Sequence, residues 1–132
     1  MWNLDDQTKY KKVLEVDLPW ATTWGQTGKY AQERERIRQL AAPLLTSKPV
    51  GVEKWALRIT VGKAGRRRFD VENVLKPIID AFCEKQIQAD KSQYQNLGLY
   101  PDDTLDHVVL LEITGSRTVG KETTLVEIFA VL

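Results

Sequence analysis

The residues of this chain best suited to chemistry are two carboxylates, a lysine and a later pair of aspartates. Asp70 and Glu72 stand two positions apart, Lys76 follows four residues after Glu72, and Asp102–Asp103 come after a long intervening segment. Three basic residues, Arg66, Arg67 and Arg68, precede the first carboxylate, with Phe69 between. Carboxylate oxygens suit a hard divalent cation such as Mg²⁺ or Mn²⁺, which typically keeps water and substrate phosphate in its remaining positions. Such an ion activates water and neutralises charge on a phosphate, and a nearby lysine stabilises the charge that develops. With one cysteine and one histidine in the whole chain, a structural zinc site within one chain is excluded. The chemistry to which these residue types point is metal-assisted cleavage of a phosphodiester.

The same residues also fit a structural reading. Asp70 has the type and position of a helix N-cap. Glu72 lies where the helix dipole favours an acid, and Glu72 to Lys76 is an i,i+4 pair in the better orientation. Lys76 to Asp80 has that spacing in the weaker order. Asp102–Asp103 after Pro101 is an ordinary turn sequence. Spacing leaves both readings open.

The elements that must position these residues follow from hydrophobic periodicity. Val71, Val74, Leu75, Ile78, Ile79 and Phe82 form a continuous helical stripe, predicting a helix over 69–82 with Asn73, Lys76 and Asp80 on one face. Val13–Leu18 alternates as a half-buried strand, and Lys54–Val61 alternates Trp55, Leu57, Ile59 and Val61 against polar partners. Between them, Tyr30 to about Leu45 reads as a helix, with Tyr30, Ile37, Leu40, Ala41, Leu44 and Leu45 recurring on its apolar side. Its Glu33, Arg34, Glu35, Arg36 and Arg38 read as an exposed charged face. The segment 84–101 has no clear period and reads as an irregular, mobile insertion. His107–Ile113 and Thr124–Leu132 are strands, expected to pair as an antiparallel hairpin across a longer loop. The order β-α-β-α-β-β predicts an α+β fold, one domain over 1–132, with a mixed sheet and helices on one face.

Composition sets the outer bounds. Hydrophobic residues at 42% and charged residues at 28% are ordinary for a globular protein, and no apolar run approaches the length that spans a bilayer. No secretion signal is evident at the N-terminus, and the single Cys83 suits a reducing compartment, so a cytoplasmic location is expected. The net charge of +1 hides an asymmetry: 54–76 holds seven Lys or Arg against two acids, and 84–106 holds five acids against two lysines. A basic strip beside isolated acids suits a polyanionic partner, and a solvated basic face accounts for it equally.

The stretch R-R-R-F-D-V-E-N-V-L-K-P-I-I-D-A-F (66–82), followed by Y-P-D-D-T-L-D-H-V-V-L (100–110), resembles the RusA family of Holliday-junction resolvases. The strand ending Leu18-Pro19-Trp20, with the loop and basic helix after it, is also similar, so the likeness runs from about Val13 to Ile113. The resemblance implies a homodimer that binds four-way DNA junctions and resolves them by paired symmetric nicks in DNA recombination and repair. It implies Asp70, Glu72 and Asp103 as Mg²⁺ ligands, with Mn²⁺ a possible substitute, and Asp102 as an outer acid or alternative ligand. Lys76 is then the catalytic lysine, Asn73 a neighbour shaping the site on its DNA side, and Arg66, Arg67 and Arg68 the holders of DNA phosphates. Glu72 stands where the family commonly has aspartate, the 84–101 insertion is longer than the pattern, and Ala21-Thr22-Thr23-Trp24 replaces the usual loop sequence. The loop could still present Trp24 and Lys29 to DNA. The Glu72 change keeps a non-catalytic branched-DNA binder as the alternative, and a structural or protein-interaction domain is the third class.

Overall fold

A computed structural model describes residues 2–23, 30–45 and 47–132. In chain order the elements are β1 (Tyr10–Leu18), α1 (Tyr30–Ala41), β2 (Trp55–Ala64), α2 (Glu72–Ala81), α3 (Glu84–Ala89), β3 (Val108–Thr118) and β4 (Thr123–Val131), with short 3₁₀ turns at Ala42–Leu44 and Gln95–Leu97. The fold is α+β, as expected, with a four-stranded mixed sheet ordered β1-β4-β2-β3. β4 runs antiparallel to both β1 and β2, while β3 lies parallel to β2 at the edge. Among the described residues no helix is long and apolar enough to cross a membrane.

Alternation decides which side of each strand is buried. Leu14, Val16 and Leu18 of β1, Leu57, Ile59 and Val61 of β2, and Val126 and Ile128 of β4 meet Ile37 and Ala41 of α1 and Val74 and Ile78 of α2 in the main core. In register, Ile59 sits between Val126 and Ile113. The opposite face buries a smaller cluster, Leu4, Tyr10, Ala56 and Phe129. A central strand with both faces covered reads as a nearly continuous apolar run, which is the pattern of 124–132.

Two expectations about connections are corrected. β3 and β4 do not pair as a hairpin, because β2 lies between them and the turn after β3 crosses the end of β2. Gly62 makes that crossing possible, since a Cβ there would sit 2.7 Å from Thr118 Cγ2. The segment 84–101 is not an irregular insertion. It forms α3 and a 3₁₀ turn, buries Ile87, Leu97, Leu99 and Tyr100, and returns to α2 through a parallel bridge between Cys83 and Tyr100. The Tyr100 hydroxyl donates to the Ile79 carbonyl at 2.6 Å.

The charged face of α1 is also not simply solvated. Arg34 and Arg38 are buried. Arg34 donates from Nε and Nη2 to Asp90 at 2.7 Å each, and Arg38 reaches Asp90 at 3.0 Å and the carbonyls of Ala81 and Asp80 at 2.7 and 3.3 Å. Burial pushes the Asp90 carboxyl up, but the bonds from Arg34, Gln86 and Arg38 outweigh it and hold the group below the usual carboxylate range. Hydrophobic periodicity sees a six-residue helix poorly, and it has no means of seeing a carboxylate 52 residues away from its arginine.

Candidate active site

α2 supplies the base of the site. Its apolar stripe buries Val74 and Ile78, which leaves Asn73, Lys76 and Asp80 on an adjacent face at i,i+3 and i,i+4 spacing. The bridge at Tyr100 then fixes where Pro101 to Asp103 must run, alongside the C-terminal half of the same helix. Lys76 Nζ lies 3.2 Å from Asp80 Oδ1 and 3.2 Å from Asp103 Oδ2. The Asp103 backbone N–H donates to Asp102 Oδ1 at 2.8 Å, orienting the two acids together. These four side chains, with Cys83 and Gln86, line an open cleft of about 250 Å³.

The two carboxylates holding Lys76 differ in setting. The Asp80 side chain is 6% exposed, Asp103 35% and Lys76 48%. Burial raises the Asp80 carboxyl above its ordinary value although Lys76 opposes the shift. Burial also pushes Asp103 up, but its polar contacts, led by the hydrogen bond from Lys76, outweigh burial and lower it. Burial disfavours the Lys76 ammonium, yet the bonds to Asp80 and Asp103 prevail and raise its pKa. The cleft therefore presents a cation fixed from beneath by a shielded acid and flanked by an accessible anion. Such a group can hold and neutralise a phosphate oxygen.

The other sequence-nominated residues stand apart from this trio. Asp70 has turned to Arg68, with Oδ1 3.1 Å from Nε. It does not cap α2 with its side chain, and only its carbonyl accepts the Asn73 N–H, at 3.1 Å. Glu72 is exposed in the first turn of α2. The Lys76 ammonium bonds to Asp80 and Asp103, so the i,i+4 pairing that forms is the one with the weaker order. Among the described residues, no group of three or more His, Cys, Asp or Glu side chains is disposed to hold a metal ion. Asp70, Glu72 and Asp103 have the right oxygen chemistry for Mg²⁺, but as placed they do not converge on one ion. Arg66, Arg67 and Arg68 are all exposed on the β2–α2 loop. Trp24 and Lys29 lie outside the described residues.

No protein-family model matches this chain, and no curated protein matches it. Function must therefore be argued from the site. Two contributions were not fully legible in the motifs. Asp80 lies within the 66–82 stretch and at i,i+4 from Lys76, but its burial beneath Lys76 is a tertiary fact. Arg117, whose guanidinium bonds to the Gly65 and Arg67 carbonyls at 3.1 and 2.7 Å, had no local signal at all.

Proposed function

We propose that the protein is a Mg²⁺-dependent, structure-selective DNA endonuclease of the RusA type, which resolves four-way junctions by paired nicks as a homodimer. The observation that carries this reading is the lysine–diaspartate cleft. Residues 27 positions apart meet where Lys76 is held by Asp80 and Asp103, on a helix preceded, three residues upstream, by three exposed arginines.

In this reading Arg66, Arg67 and Arg68 hold the sugar-phosphate backbone, giving affinity without sequence information. The Lys76 ammonium meets the non-bridging oxygen of the scissile phosphate, and Asp80 keeps it aimed. Asn73, one turn before Lys76 on the same face, is a further polar contact for the strand. Mg²⁺, or Mn²⁺ in its place, would supply Lewis-acid polarisation and an activated water, and holding it would require Asp70, released from Arg68, and Glu72 to move towards Asp103. A two-fold dimer presents two such clefts to a junction of pseudo-two-fold symmetry.

A second reading rests on a specific observation. Asp70 is engaged by Arg68, and among the described residues no three acidic side chains are grouped to hold a metal, an arrangement suited to a branched-DNA binder that does not cut. The deciding experiment is to incubate the purified protein and Mg²⁺ with a synthetic four-way junction and with a linear duplex of the same arms. Paired nicks on the junction alone are expected. Tight junction binding without nicks in either Mg²⁺ or Mn²⁺ would select the second reading, and neither binding nor nicking would remove both.

A further inference from the structure

The loop between β2 and α2 is gripped from outside by a distant part of the chain. It leaves β2 through Gly65, whose φ of +81° is a left-handed conformation suited to glycine. From the end of β3, Arg117 donates Nη1 to the Gly65 carbonyl at 3.1 Å and Nη2 to the Arg67 carbonyl at 2.7 Å. From the turn that follows, Glu122 accepts the Ala64 N–H at 3.0 Å and the Lys63 ammonium at 2.7 Å. Residues 117–122 thus fasten residues 63–67 at both ends, and the backbone beneath the arginines is fixed before any partner arrives.

The charge at this corner is unbalanced. Lys63 is paired with Glu122, and Arg68 with Asp70. Among the described residues, no hydrogen bond or ion pair engages the side chains of Arg66 or Arg67. Lys121, also exposed, adds a cation from the same turn as Glu122. Arg66, Arg67, Arg117 and Lys121 therefore form a surplus of positive charge drawn from two separate stretches of sequence. Several arginines on one short loop repel one another and lose side-chain and backbone freedom on binding. Fixing the loop in advance removes part of that cost, which is how preorganisation raises affinity. A partner with regularly spaced anionic groups along a chain matches such a surface.

We propose that the β2–α2 loop and the β3–β4 corner together form a preorganised surface for a phosphodiester backbone, with Arg117 as the positioning residue that fixes the loop. The nucleic-acid identity of the partner rests on the nuclease reading, but binding through this surface is independent of cutting.

The test is binding of a fluorescently labelled four-way junction, followed by anisotropy in EDTA over a series of salt concentrations. The double variant Arg66→Gln/Arg67→Gln should bind more weakly and lose about two units of the slope of log affinity against log salt, since each phosphate contact contributes about 0.9. Arg117→Lys keeps the charge but lacks the fork that spans two carbonyls. It should weaken binding roughly tenfold with an unchanged melting temperature, a loss that charge alone does not explain. Native affinity in Arg117→Lys would overturn the positioning role. Native affinity and slope in the double variant, whose exposed positions do not threaten folding, would overturn the surface itself. A protein that binds through this surface and never nicks would retain it while removing the nuclease reading. Nicking with both variants at native affinity would do the reverse.

Discussion

The junction of α1 with α3 and the cleft on α2 share their essential parts, a cation set among carboxylates, in opposite surroundings. In the first, the Arg38 side chain is fully buried and Asp90 is 10% exposed. The Arg38 guanidinium is consumed by Asp90, Glu35 and two main-chain carbonyls, and Asp90 in turn accepts from Arg34 and Gln86. No direction remains from which a ligand could approach. In the second, Lys76 is half exposed, and two acids take two of its three donors. One of those acids is itself accessible. The contrast teaches that an ion pair becomes a candidate for chemistry when one partner is anchored in the protein and the other stays open to exchange, which no list of charged residues conveys.

That comparison can be broken at the buried end first. Arg38→Ala leaves Asp90 with Arg34 as its remaining cation and takes a guanidinium donor from the Ala81 carbonyl, and should cost about 3–5 kcal/mol in unfolding free energy. Urea denaturation measures it, and a cost below about 1 kcal/mol would mean that the buried network is not the fastening it resembles.

The next largest effect lies on the other face of the sheet, where Arg58 and Lys12 hold Glu127. The hydrogen bond from Arg58 lowers the Glu127 pKa from 4.5 to about 2. Because the folded value lies below the unfolded one, this contribution is fully present above pH 4.5 and is lost as pH falls towards 2. Thermal melts across that range should show native stability falling more steeply than that of Glu127→Gln, which is already weaker at neutral pH. Parallel acid limbs would contradict the assignment.

The smallest effect on stability belongs to the open cleft. Asp103→Asn, which removes only the accessible partner of Lys76 and leaves its bond to Asp80, should change unfolding free energy by less than about 1 kcal/mol, as exposed pairs do. A loss comparable to that of Arg38→Ala would erase the distinction between the two regions and make the cleft a structural feature.

How much of this was legible in sequence depends on range. The strands around Val16, Ile59 and Val126 and the α2 stripe follow from local alternation and periodicity, and both appear where the pattern put them. The resemblance implied Asp103 as a ligand together with Asp70 and Glu72, at the start of the helix. The bridge at Tyr100 brings it instead to the middle, beside Asp80. The packed segment 84–101 was hidden because α3 is too short for a period to register and its anchors, Arg34 and Arg38, sit in an earlier helix that reads as solvated. The β3–β4 connection was misread because two adjacent strands in sequence ordinarily pair, and only the tertiary placement of β2 and the small Gly62 show otherwise.

The most direct test of the proposed chemistry is single-turnover cleavage of a four-way junction in Mg²⁺ by Lys76→Ala, with junction affinity measured separately in EDTA. The account predicts a rate lower by about 10²–10³-fold, the scale of losing one charge-stabilising donor, with affinity within a few-fold of native. A native rate, or a loss explained entirely by weaker binding, would contradict a catalytic role for the lysine between Asp80 and Asp103.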